Sequence, residues 1–225
     1  MGYESFRHVV EKYVEKTDTV LMLGCGNSPL SADMYTDGYR HITNIDYSRT
    51  CIRKMAARHQ ANMPGMAWME MDVRKLSFAD GSFHIALEKG TLDALMVAEK
   101  SPWAVSDETR QCIDQVLTEV SRVLCKGGHF ISITFAQPHF RTPLYAQAKY
   151  GWSVTVDVIG DAFQFFCYTM TKGGEVTAEQ IGRAERFFNP PVNTSDVSEA
   201  VVFEDDGLSD GDAELFFSRL DSVFS

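Results

Sequence analysis

The chain has 225 residues, 44% of them hydrophobic and 12% aromatic, with a net charge of −10. That length buries the core of one domain without disulfide or metal staples, and the aromatic content excludes wholesale disorder. The acid is concentrated: residues 195–225 carry −8 and residues 1–194 only −2, a distribution that counts against non-specific nucleic-acid binding, which needs clustered Lys and Arg. Five cysteines without a CxxC pair argue against a zinc ribbon or a secreted disulfide framework. No apolar run approaches the ~20 residues of a membrane span, and the start, MGYESFRHVVEKYVEK, is amphipathic with no signal-peptide core. A soluble, cytosolic chain is expected, without membrane or nucleic-acid partners.

TVLMLGC (19–25) is an apolar run of the kind buried in parallel sheets, and Ser28-Pro29 opens a helix running to Asp37-Gly38. HITNIDY (41–47) is the second expected strand, followed by a helix over 48–62 capped by Ser48. MAWMEMD (66–72) and SFHIALEKG (82–90) are the third and fourth strands. Apolar residues at helical spacing from Ile113 to Leu124 predict a helix over 107–125, stopped by Lys126-Gly127-Gly128. HFISITFA (129–136) is the fifth strand. A Pro/aromatic segment (138–152) leads to a hairpin of 153–160 and 163–171, then a helix over 176–188. The pattern predicts an α/β fold: a doubly wound, mostly parallel seven-stranded sheet with a C-terminal antiparallel hairpin. One domain is expected over 1–190. Residues 191–225 read as an acidic, flexible tail, with 214–224 compatible with a short amphipathic helix.

In doubly wound sheets ligands bind beyond the C-terminal strand ends, where strand order reverses. Leu23-Gly24-Cys25-Gly26-Asn27-Ser28 supplies a glycine loop before a helix, suited either to a ligand or to a tight turn. Asp46 ends the second strand, where an acid accepts hydrogen bonds from ribose hydroxyls or caps the next helix. Asp72 ends the third strand, suited to an adenine amino group or to a turn. Together these carry an adenosine-containing cofactor, and both NAD and S-adenosylmethionine satisfy them. Pro29 stands where a dinucleotide loop has its third glycine, which favours S-adenosylmethionine over a nicotinamide oxidoreductase. His129 and His139 have no metal-ligand spacing, and no metal is assigned.

VLMLGCGNSPLS (20–31), NIDYS (44–48), MDVRKLSF (71–78) and EKGTLDAL (88–95) resemble the ordered motifs of class I S-adenosylmethionine-dependent methyltransferases. With DQVLTEVSRVLCKGGHFISIT (114–134) and the 138–153 stretch, the chain resembles the eukaryotic lysine methyltransferases acting on elongation factor 1-alpha, over roughly residues 5–190. The resemblance implies that Gly24 lies against the methionine part of the cofactor, that Asp46 and Tyr47 hold the ribose, and that Asp72 and Val73 hold the adenine. It places Lys89 near the cofactor and makes 88–93 a segment needed for activity. It also implies a protein substrate, elongation factor 1-alpha, for a monomeric enzyme. Relatives carry a YWDxRY-type segment that folds over the cofactor. This chain begins MGYESF without one, which reads as truncation.

A lysine nucleophile must lose its proton, against an ordinary pKa of ~10.4. A carboxylate at the rim would steer the ammonium and take the proton, and Glu88 is the first candidate, with Asp93 second. The alternative for Glu88 is a structural partner of Lys89 or of a backbone N–H. Phe135, Phe140, Tyr145, Tyr150 and Trp152 either wall a lysine channel or pack the core. A non-catalytic methyltransferase-like binding module and a small-molecule methyltransferase are the rival functions.

Overall fold

The computed structural model describes residues 2–101, 105–160 and 164–189; the acidic tail and the expected helix over 214–224 lie outside them. Seven strands form one sheet: β1 (Thr19–Leu23), β2 (His41–Asp46), β3 (Met66–Glu70), β4 (Phe83–Lys89), β5 (Leu124–Thr134), β6 (Trp152–Ile159) and β7 (Phe165–Lys172). Their order is β3-β2-β1-β4-β5-β7-β6. The first five are parallel, and β7 runs antiparallel to both β5 and β6. The doubly wound sheet with its terminal hairpin is thus as expected. Strand order reverses between β1 and β4, which pair through Leu23 and Glu88.

Side chains alternate across the sheet because the strand period is two. Leu21 and Leu23 face one core layer, and Val20 and Met22 face the other. The first layer is closed by α5 (Asp107–Val123), whose Ile113, Val116, Leu117 and Val120 form its apolar face. The second is closed by α1 (Arg7–Tyr13), α2 (Leu30–Thr36) and α3 (Arg49–His59), through Val9, Val10, Met34 and Ile52. Asp37, just after α2, accepts hydrogen bonds from Tyr3, Arg7 and Lys16, which tie the N-terminal helix down. The helix after the hairpin, α7 (Ala178–Phe188), carries a capping box between Thr177 and Gln180.

Two features differ from expectation. The Lys126-Gly127-Gly128 segment is not what stops the helix, and it belongs to β5. The helix ends at Val123 and β5 begins at Leu124, with the glycines inside an irregular stretch where Phe83 pairs Leu124 but Ile85 pairs His129. Gly127, at φ +82°, supplies the backbone freedom that this bulge requires. The Pro/aromatic segment contains a helix, α6 (Pro138–Tyr145), because proline in the first turn sacrifices no helical hydrogen bond. Tyr145, Tyr150 and Trp152 are buried in the first core layer, so these three pack the fold rather than wall a channel.

Candidate active site

A cavity of about 640 Å³ opens at the C-terminal ends of β1, β2 and β4, within the ~300–1,000 Å³ range of small-molecule sites. Gly24, Asp46, Tyr47, Asp72, Val73 and Lys89 all line it. Residues from four separate segments therefore converge where strand order reverses.

Gly24 sits at φ +60°, and a Cβ there would fall 2.5 Å from Thr91 Oγ1. The Thr91 hydroxyl itself donates to the Leu23 carbonyl at 2.9 Å. Gly26, at φ +51°, is different: a Cβ would meet no protein atom within 4 Å, so its inner face fronts open space. The Gly26 N–H donates to Asp46 Oδ2 at 2.9 Å, and the Ser48 N–H donates to Asp46 Oδ1 at 2.8 Å. Asp46 therefore fastens the glycine loop to the start of α3. Each carboxylate oxygen has about two lone-pair sites, so one remains on each for a ligand hydroxyl. Both readings of Asp46, backbone partner and ligand acceptor, are compatible in one carboxylate.

Tyr47 projects beside it and is 82% exposed. Asp72 accepts from the Arg74 N–H at 2.9 Å and pairs with its guanidinium at 2.7 Å. The guanidinium bond holds the Asp72 carboxyl below its usual range. The turn reading of Asp72 is thus realised, and any ligand donor that reaches this carboxylate must share it with Arg74.

The opposite wall is α4 (Thr91–Leu95), a five-residue helix that presents Thr91, Ala94 and Leu95 to the cavity. Sequence periodicity missed it, since five residues span little more than one turn. Glu88 and Asp93 lie behind this wall and not at the rim; both are 1% exposed. The rim expectation fails because β4 directs Glu88 inward. Its Oε2 accepts from the Thr91 N–H at 2.8 Å, its Oε1 accepts from Ser132, and Ser132 shares a 2.7 Å bond with the Tyr145 hydroxyl. The backbone-partner alternative is the one observed. Burial, reinforced by Asp93, raises the Glu88 carboxyl to about 7. Asp93 Oδ1 accepts from Thr134 at 2.7 Å and from the Arg141 guanidinium. Arg141, 2% exposed, was not singled out from the sequence because it sits in the proline-rich segment. Among the described residues no cluster of His, Cys, Asp or Glu is placed to hold a metal ion.

A methyltransferase-domain family model matches residues 20–128. EEF1A lysine methyltransferase 4 of Bos taurus is 47% identical over 189 residues, covering 84% of this chain and 74% of the relative; the Mus musculus protein of the same name is 43% identical over the same shares. The chain belongs to this family. The EEF1A lysine methyltransferase 4 family is one of S-adenosylmethionine-dependent methyltransferases, and this chain is such an enzyme. A solved Methanosarcina mazei S-adenosylmethionine-dependent methyltransferase shares its fold, at TM-score 0.52 and 20% identity, over 74% of this chain and 98% of that one.

S-adenosylmethionine is the family member's cofactor, and the cavity fits it. Two acidic acceptors stand at separate strand ends, Gly26 leaves a face open, and Val73, Ala94 and Leu95 add apolar surface.

Proposed function

We propose that this enzyme is a protein-lysine N-methyltransferase, that its substrate is elongation factor 1-alpha, and that it acts as a monomer in the cytoplasm. The observation that carries the substrate reading is the 47% and 43% identity, over 84% of the chain, to relatives named for lysine methylation of that factor. In the same reading the methyltransferase domain spans 1–190, with the acidic residues 191–225 outside it.

When bound, the cofactor would supply an electrophilic methyl group on its sulfonium: a lysine amine, its proton lost to solvent, would form the N–C bond as the S–C bond breaks, with S-adenosylhomocysteine as the leaving group. Gly24 and Gly26 let the backbone lie close to it. Asp46 accepts from the ribose with its remaining lone pairs, and Tyr47 covers that side. Asp72 and Val73 flank the adenine, and Lys89 borders the transfer end. Little acid–base chemistry is required, so positioning dominates the rate. The apolar Ala94 and Leu95 favour the neutral form of an entering lysine, since burial disfavours its charge. Glu88 and Asp93 serve by holding α4 in place, not by touching the amine.

The test is incubation with methyl-labelled cofactor in a eukaryotic lysate, followed by mass spectrometry of the labelled protein. Label on elongation factor 1-alpha supports the reading. Label confined to small molecules would replace it with a small-molecule methyltransferase.

A further inference from the structure

Behind the cavity wall lies a cluster of three buried charges: Glu88 of β4, Asp93 of α4 and Arg141 of α6. The Arg141 guanidinium bonds Asp93 and lies 3.0 Å from the Met96 sulfur through Nη1. It reaches both from a helix nearly fifty residues later in the chain. Asp93 Oδ2 has no partner among the described residues. Helix α4 has five residues, too few to be stable alone. Its position is therefore set by its tethers. Glu88 holds its first N–H groups, and Arg141 and Thr134 hold Asp93 on the face turned away from the cavity.

We infer that Arg141 is a positioning residue for methyl transfer: through Asp93 it fixes where α4 stands, and so where Thr91, Ala94 and Leu95 meet the reacting groups. The inference rests on the methyltransferase reading but not on the identity of the protein substrate. Arg141 also places its single positive charge beside two buried carboxylates, bonding Asp93 and acting on Glu88 only through its field. A lysine here keeps the charge but is a single point donor without the planar fork, and so loses simultaneous hold on Asp93 and Met96.

Arg141→Lys is therefore expected to lower kcat for elongation factor 1-alpha methylation about tenfold or more. S-adenosylhomocysteine affinity should fall several-fold less than kcat, because Gly26, Asp46, Asp72 and Val73 belong to other segments and only the apolar surface of Ala94 and Leu95 shifts. Hydrogen exchange read without substrate should speed at residues 91–96 and stay unchanged in β1 and β2. That arm holds whichever substrate is correct. If the parent fails to methylate the factor while exchange behaves as stated, the substrate reading falls and the positioning role stands. Arg141→Met, which leaves Asp93 without its guanidinium partner, should show the same local pattern more strongly, and in that background Asp93→Asn should restore part of the exchange protection. Unchanged exchange at 91–96 in Arg141→Lys would overturn the inference. So would a uniform loss of protection across the sheet, or kcat and cofactor affinity falling in parallel, since each marks a general packing role.

Discussion

Asp46 and Glu88 are both carboxylates at strand ends, yet the structure gives them opposite tasks. Asp46 lines the cavity with lone pairs to spare, whereas Glu88 is turned into the core. Asp46→Ala removes the proposed ribose acceptor and also frees the Gly26 and Ser48 N–H groups. Loss of such hydrogen bonds costs ~1–3 kcal/mol, so cofactor affinity measured by calorimetry should fall about tenfold or more. Asp72→Asn should cost less, because Arg74 already occupies that carboxylate; an equal or larger loss would reverse the order of importance. Glu88 predicts a pH effect on stability. Its carboxyl is raised to about 7 in the fold, so the native state binds its proton more tightly than the unfolded chain, where the pKa is ~4.3. Stability should therefore drop as pH rises from ~4.3 through about 7 and level off above. Asp93, Arg141, Tyr145 and Cys167 are the other ionisable groups that act on this carboxyl. Glu88→Gln should flatten the dependence, and denaturant unfolding at pH 5 and pH 8 reads it. A parent whose stability rises over that interval, relative to Glu88→Gln, would contradict the assignment.

At the scale of elements, the contact between the glycine loop and α4 is the tightest joint of the site. A Cβ on Gly24 would sit 2.5 Å from Thr91 Oγ1 and 2.6 Å from its Cγ2, in a left-handed conformation that costs a non-glycine residue ~1–2 kcal/mol. Gly24→Ala should lower the melting temperature, and Thr91→Ala in that background should recover part of the loss by removing both atoms. If Gly24→Ala is neutral, the loop and α4 are not in firm contact. The convergence of the strand-end residues on one cavity was legible in the sequence. Apolar runs such as TVLML end abruptly in Gly24 or Asp46, and parallel strands place such ends side by side. The α4 side was not. Helix α4 is too short to show a period, α6 is masked by Pro138 and Pro143, and the Arg141–Asp93 pair joins segments that no local pattern connects. The Gly127-Gly128 pair misled for a related reason: glycines that read as a helix stop also serve a strand bulge.

For the whole molecule, cofactor binding to the native state alone should stabilise it by mass action. At S-adenosylhomocysteine near 100 times its Kd, the gain is ~2.7 kcal/mol. For a domain of this size that is roughly 5–10 °C in melting temperature, and NAD at the same concentration should give no shift. The central claim, that the cavity at the β1–β4 reversal feeds methyl groups to a lysine of elongation factor 1-alpha, is tested most directly by tandem mass spectrometry. Purified elongation factor 1-alpha would be incubated with the enzyme and S-adenosylmethionine, with Asp46→Ala as the control. The account predicts added methyl mass on a lysine side chain of the factor, greatly reduced with Asp46→Ala. No methylation of the factor, methylation only at a group other than a lysine side chain, or equal methylation by Asp46→Ala would contradict it.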